Sequence, residues 1–201
     1  SSNQAWEVSD PVFGIYGRYI NLAPGASMTA RMQGHIDRAS FSDSVGNITG
    51  PVPGFAPGNY YAIVRTDIRN NIHESIESNN AGTSSGTTRI DVPALQLGVP
   101  AITSLTQGEL QYYRVNVAAG KTLKITLDGS ALTGSLEMYA RFGGVPSRSQ
   151  FDVAYSTPFS PDQQITIPET NNGTYYILLF GDRVTGDSIG ATILAQEVTF
   201  S

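Results

Sequence analysis

The sequence predicts an all-β protein made of two tandem antiparallel β-sandwiches. Three observations carry this. Helical periodicity is nearly absent, while strand-like runs recur along the whole chain, many alternating apolar and polar residues at period two. Turn chemistry separates the runs: APG at 23–25 and again at 56–58, AAG at 118–120, FGG at 142–144 and NNG at 171–173. A landmark, Gly-x-Tyr-Tyr followed by three apolar residues, occurs in each half, as GNYYAIV at 58–64 and GTYYILL at 173–179.

The predicted strands run in order as SMTARMQ (27–33), NYYAIVRTD (59–67), TRIDV (88–92), QYYRVNV (111–117), TLKITL (122–127), SLEMYARF (135–142), QQITIP (163–168), TYYILLF (174–180) and IGATILAQEVTF (189–200). In the run at 122–127, Leu123, Ile125 and Leu127 share one face, and Lys124 and Thr126 share the other. That is the pattern of a half-buried antiparallel strand. At each landmark the glycine ends a turn and a long buried strand is expected to follow. One Tyr of each pair can face the core with its hydroxyl bonded to backbone, as in a tyrosine corner. The domains are expected at 1–93 and 94–201, divided near VPALQLGVPA (92–101), where prolines and a glycine bracket a short apolar link.

Composition narrows the function. Charged residues are 14 % of the 201, against roughly 25 % in an average soluble domain. The net charge is −5 and the basic residues are scattered, which argues against nucleic acid. Without cysteine there are no disulfides or thiolate metal sites. No apolar run reaches the roughly 18 residues of a membrane span. SSNQAWEVSD at the N-terminus is not a signal peptide, so a secreted protein is expected to hold this chain as a segment of something longer.

The first half resembles the cell-adhesion-related domain of bacteria (CARDB). The residues are LAPGASMTARM (22–32), PGNYYAIVRTD (57–67), and then Asn71, Glu74, Glu77, Asn79 and Asn80, with Trp6 and VSDP (8–11) ahead of them. The resemblance implies an immunoglobulin-like sandwich. Such domains carry two further strands before that Trp, so the first sandwich is expected to be truncated, with an open edge able to pair with another chain. The second half resembles the bacterial pre-peptidase C-terminal domain through LTQGELQYYRVNVAAGKTLKITLDG (105–129), LEMYARFGGVPSRSQFD (136–152) and GTYYILLFG (173–181). This implies a jelly-roll-like sandwich, secretion, attachment to a larger protein, and no catalysis. The family often has Asp-x-Asp-Leu-Tyr where this chain has Ser135, Glu137, Met138 and Tyr139. That departure weakens any expectation of the calcium and collagen binding seen in collagenase relatives.

Candidate chemistry is sparse. Two histidines, His35 and His73, do not supply the usual ligand set of a histidine-based zinc site. There is no Gly-x-Ser-x-Gly elbow and no Gly-rich phosphate loop before a helix. The densest polar stretch is DIRNNIHESIESNN (67–80). Calcium takes six to eight oxygens, and Asp67, Asn71, Glu74 and Glu77 could supply four of them. The competing reading is a hairpin with Asn70 and Asn71 in left-handed turn positions and Ile68, Ile72 and Ile76 packed beneath. Tyr139, Arg141, Phe151 and Asp152 form a second candidate, a ligand site for a sugar or a peptide around the loop 141–159. The favoured reading of its aromatics is as core and loop anchors.

The function expected from the whole is a non-catalytic extracellular module of a larger secreted or cell-surface bacterial protein. It would act in adhesion, spacing or presentation, with Ca2+ stabilisation at the 67–77 cluster as an option. The alternative is an accessory module that binds polysaccharide or protein fibre and targets an attached hydrolase. The expected partners are therefore an extracellular polymer or neighbouring domains.

Overall fold

The computed structural model describes residues 1–8, 10, 12, 31–32, 47–48, 56–72 and 76–198. They fall into two compact units. One contains the described residues up to Val12 together with those from 56 to Asp91, and the second contains Val92 to Val198 together with Arg31–Met32 and Asn47–Ile48. The predicted run at 27–33 lies outside the described residues apart from Arg31–Met32, which pair in parallel with Asn47–Ile48.

The second unit is a jelly roll. Its strands are β1 (Ala101–Leu105), β2 (Leu110–Val117), β3 (Thr122–Gly129), β4 (Ser135–Phe142), β5 (Val153–Ala154), β6 (Gln163–Ile167), β7 (Gly173–Arg183) and β8 (Ile189–Val198). They form two four-stranded sheets, in the orders β1-β8-β3-β6 and β2-β7-β4-β5. Every pairing is antiparallel, and each sheet alternates early with late strands, as two Greek keys require.

The period-two pattern explains which residues meet in the middle. Leu123, Ile125 and Leu127 of β3 are 0, 0 and 1 % exposed, while Lys124 and Thr126 stay half-buried on the far face. Ile189, Ala191, Ile193 and Ala195 of β8 and Ile165 and Ile167 of β6 complete that side of the core. Leu136, Met138 and Ala140 of β4, Tyr175, Ile177 and Leu179 of β7, and Val115 and Val117 of β2 face them from the other sheet. Each fully buried aliphatic side chain contributes on the order of 2 kcal/mol.

Tyr175 meets the tyrosine-corner expectation. It is buried, and its hydroxyl accepts the Asn171 backbone N–H at 2.9 Å. The equivalent landmark in the first unit repeats the motif: the Tyr60 hydroxyl donates to the Ala56 carbonyl at 2.7 Å. There the resemblance between halves stops. The long buried strand expected after Tyr60 is two short pieces, Gly58–Tyr60 and Ile63–Arg65, paired with Thr88–Ile90 and Ala81–Thr83. Val64 is 46 % exposed. The break falls at Tyr61 and Ala62, whose backbone groups bond Ser1 and Ser84 instead of a neighbouring strand.

Two connections differ from expectation. The apolar link at 92–101 does not hang free: Val92 and Leu95 are buried, and Leu95 N–H bonds the Arg114 carbonyl while Arg114 N–H bonds that of Pro93. The segment thereby extends the β2 edge. The long connection at 141–159 contains a strand too short to show a period, Val153–Ala154, which pairs with Tyr139 and Ala140.

Candidate functional site

In the first unit the polar stretch is an excursion between two paired strands. Its neck is closed by Thr66 N–H to the Asn80 carbonyl at 2.9 Å, backed by the Thr66 hydroxyl on Asn80 Oδ1 at 3.3 Å. Inside it, Asp67 organises the turn. Its carbonyl accepts Asn70 N–H at 2.8 Å, its Oδ1 accepts Asn71 N–H at 2.8 Å, and its Oδ2 accepts Ile72 N–H at 3.0 Å. Asp67 and Asn70 both hold positive φ, 38° and 51°, a region that Asp and Asn tolerate better than other side chains.

Of the four candidate calcium ligands, then, Asp67 and Asn71 are brought together, through the Asn71 backbone. Glu74 and His73 lie outside the described residues, as does His35. Glu77 begins a short 3-10 turn, Glu77–Asn79. Ile68, Ile72 and Ile76 do not pack beneath a sheet: they are 46, 51 and 57 % exposed, because no second layer covers them among the described residues. Nor do the described residues contain a group of three or more His, Cys, Asp or Glu placed to hold a metal ion. Elsewhere in this unit the Arg65 guanidinium lies 3.9 Å over the Trp6 ring.

The second candidate lies on the outer face of the β2-β7-β4-β5 sheet. Inward and outward residues alternate along β4, so Leu136, Met138 and Ala140 enter the core while Glu137, Tyr139 and Arg141 point outward. The loop after β4 folds back across this face. Arg148 lands on Glu137, donating Nε to Oε2 at 2.7 Å and Nη2 to Oε1 at 2.9 Å. Its guanidinium also stacks 4.0 Å over the Phe180 ring and stands 3.8 Å from Asp182 Oδ1. Glu137 is 6 % exposed, so a carboxylate sits almost wholly out of water with a planar cation closed over it.

Tyr139 belongs to the same network. Its hydroxyl donates to Glu137 Oε2 at 2.8 Å, and its ring packs 4.9 Å from Phe151 and 5.6 Å, edge-on, from Tyr155. Burial pushes the Tyr139 hydroxyl well above the ordinary phenol range, and its bond to the Glu137 carboxylate adds to the shift. The bond to Glu137 likewise raises Arg148 above the ordinary guanidinium value.

The structure thus brings all four residues of the second candidate to one place, in different roles. Tyr139 is 6 % exposed and forms the floor, while Phe151 is 40 % exposed and covers it. Asp152 accepts the Phe142 backbone N–H on Oδ2 at 2.8 Å, which fixes the loop's return. Arg141 is half-buried beside Tyr176, its cross-strand neighbour. Glu137 and Arg148 do the most to shape this face; the sequence marks Glu137 only as a departure from the family pattern and Arg148 only as a polar residue of the loop, and does not pair them. Glu137 could have been found from its outward position in a strand otherwise buried, but the choice of Arg148 as partner depends on how an eleven-residue separation folds back.

Residues 109–181, which run from β2 through all but the last two residues of β7, match the family model described as the Bacterial pre-peptidase C-terminal domain. Alkaline serine exoprotease A of Vibrio alginolyticus is 30 % identical over 99 residues, covering 48 % of this chain and 18 % of that protein. The chain therefore spans less than a fifth of the length of that curated relative. Among solved structures, the pre-peptidase C-terminal domain of a Bacillus anthracis collagenase is 13 % identical, covering 53 % of this chain and 95 % of its own, with a TM-score of 0.42. PliG of Aeromonas hydrophila, a periplasmic inhibitor of g-type lysozyme, is 15 % identical, covering 53 % and 96 %, with a TM-score of 0.43. No helix among the described residues is long and apolar enough to cross a membrane.

Proposed function

We propose that the chain is a non-catalytic, extracellular accessory segment of a larger secreted or cell-surface bacterial protein. The observation that carries this is the family match at 109–181, which falls on the strands that build the jelly roll. The curated relative, a serine exoprotease, matches this chain over 18 % of its own length, the proportion expected of an appended domain rather than of a catalytic one. The charged groups on the outer face fit the same reading. Glu137 and Arg148 neutralise each other and Asp152 secures a loop, so these residues hold a surface in shape.

In this reading 1–93 is a CARDB-like domain and 94–201 the pre-peptidase C-terminal-like domain. A second reading, binding of an extracellular polymer, is favoured by one observation: aromatic and polar side chains converge on the outer face of the β2-β7-β4-β5 sheet. Two assays on the 201-residue chain test these readings. Casein and generic glycoside substrates should remain uncleaved, and turnover that is lost on replacing a carboxylate would overturn the accessory role. Pull-down on cellulose, chitin, starch and collagen tests the second reading, which fails if no polymer retains the chain.

A further inference from the structure

Arg141 stands out on that outer face. The chain has 17 acidic side chains against 12 basic ones, and other cations of this unit have partners: Arg148 is clamped on Glu137, and Lys121 reaches Glu197 at 3.8 Å. Arg141 is half-buried, yet among the described residues it has no acceptor and no ion-pair partner. A partly desolvated guanidinium with no anion in direct contact is under-compensated, and its planar fork matches a carboxylate in two-point contact.

Its surroundings add the rest of a site. Register places Tyr176 directly across from Arg141, and the next row holds Tyr139 and Leu178. Phe151 lies over Tyr139 with its ring 40 % exposed. Asp152 N–H bonds the Ala140 carbonyl, which seats Asp152 beside Arg141 one strand further out. Its Oδ2 is held by Phe142 N–H, and its Oδ1 has no bond among the described residues. A Cβ on Gly144 would stand 3.5 Å from the Arg141 guanidinium carbon, so glycine there leaves room above the cation. Within one patch there are a half-buried cation, an acceptor oxygen and two half-exposed aromatic rings.

We propose that this patch binds an acidic polysaccharide through its uronate residues. The sugar carboxylate would sit on the Arg141 fork, a neighbouring hydroxyl would donate to Asp152 Oδ1, and the C–H faces of the pyranose rings would pack on Tyr176 and Phe151. The inference rests on the polymer-binding reading above and gives it a ligand class. Arg141 selects against neutral glycans, because without a carboxylate its charge is covered and left unpaired.

Affinity electrophoresis of the whole chain tests it, in gels containing polygalacturonate, neutral dextran or polyglutamate. Retardation is expected in polygalacturonate alone, and should weaken with added salt. Arg141→Ala should weaken it at least about fivefold, as expected for a lost charge-assisted contact, without changing the thermal melt. Arg141→Lys should recover part of it. Lys124→Ala, on the outer face of the opposite sheet, should leave it unchanged. Equal retardation in neutral dextran overturns the uronate assignment while leaving polymer binding standing. Equal retardation in polyglutamate, or retardation unaffected by Arg141→Ala, also overturns it. No retardation in any gel, combined with no retention in the pull-downs, removes both readings.

Discussion

The Arg148 guanidinium closes on the Glu137 carboxylate with two bonds, of 2.7 and 2.9 Å, and so ties the loop after β4 to the sheet it left. Cutting the pair from the arginine side leaves a buried carboxylate exposed to partial solvation only. Arg148→Ala should therefore cost about 2 to 3 kcal/mol, measured by urea unfolding. The lower part of that range allows for Arg148 being 47 % exposed itself. Glu137→Leu combined with Arg148→Leu should recover most of the loss. A double replacement as damaging as the sum of the single ones would show that the two residues act independently.

Tyr139 supplies an alkaline signature. Its hydroxyl is held protonated by burial and by Glu137, so the folded state keeps a proton that the unfolded chain releases near pH 10. The folded state therefore binds more protons above about pH 10, and stability must fall as pH rises past that point. Below it, this contribution is fully present. Titration at 295 nm should show one tyrosine ionising only on unfolding, and Tyr139→Phe should remove that late step and flatten the alkaline loss.

Gly181 sits where β7 passes the β1–β2 turn. A Cβ there would collide with the Thr106 carbonyl oxygen, which is backbone and cannot swing away. Gly181→Ala should destabilise the jelly roll by about 3 kcal/mol. Gly82→Ala in the first unit, with nothing within 4 Å of the new methyl, is the control and should be nearly neutral.

Asp67 closes its turn with both carboxylate oxygens on backbone N–H groups. Asp67→Ala should cost about 1 to 2 kcal/mol, as the loss of a capping side chain does elsewhere. If turn closure is its whole role, the melting temperature is the same with calcium or with EDTA, and calcium titration gives no heat. A calcium-dependent melt that Asp67→Ala abolishes would instead establish the cation site.

Tyr175→Phe deletes one buried hydroxyl that accepts the Asn171 N–H, a loss of about 1 kcal/mol in thermal or urea melts. Tyr60→Phe should cost less, because Tyr60 is only half-buried and its Ala56 partner is open to water.

The sequence by itself determined six of the eight strands of the jelly roll, β2, β3, β4, β6, β7 and β8, because their inward residues must alternate to meet a second sheet; it did not mark β1 at 101–105. Leu123, Ile125 and Leu127 could be assigned to the core without coordinates, and so could a backbone role for one tyrosine at 175–176. The first unit was less legible. Its Gly-x-Tyr-Tyr landmark matches that of the second, but nothing local states whether a second layer exists to bury Val64 or Ile68, and among the described residues none does. The short strand at 153–154 was unreadable because two residues carry no period. Tyr139, Arg141, Phe151 and Asp152 were picked out as a group, and the fold brings them to one face. Tertiary structure alone decided which is floor and which is surface, and that Glu137 takes Arg148 while Arg141 takes no partner among the described residues. Those outcomes depend on cross-strand register and on the path of a loop, and both are set by the global packing of two sheets rather than by any local pattern.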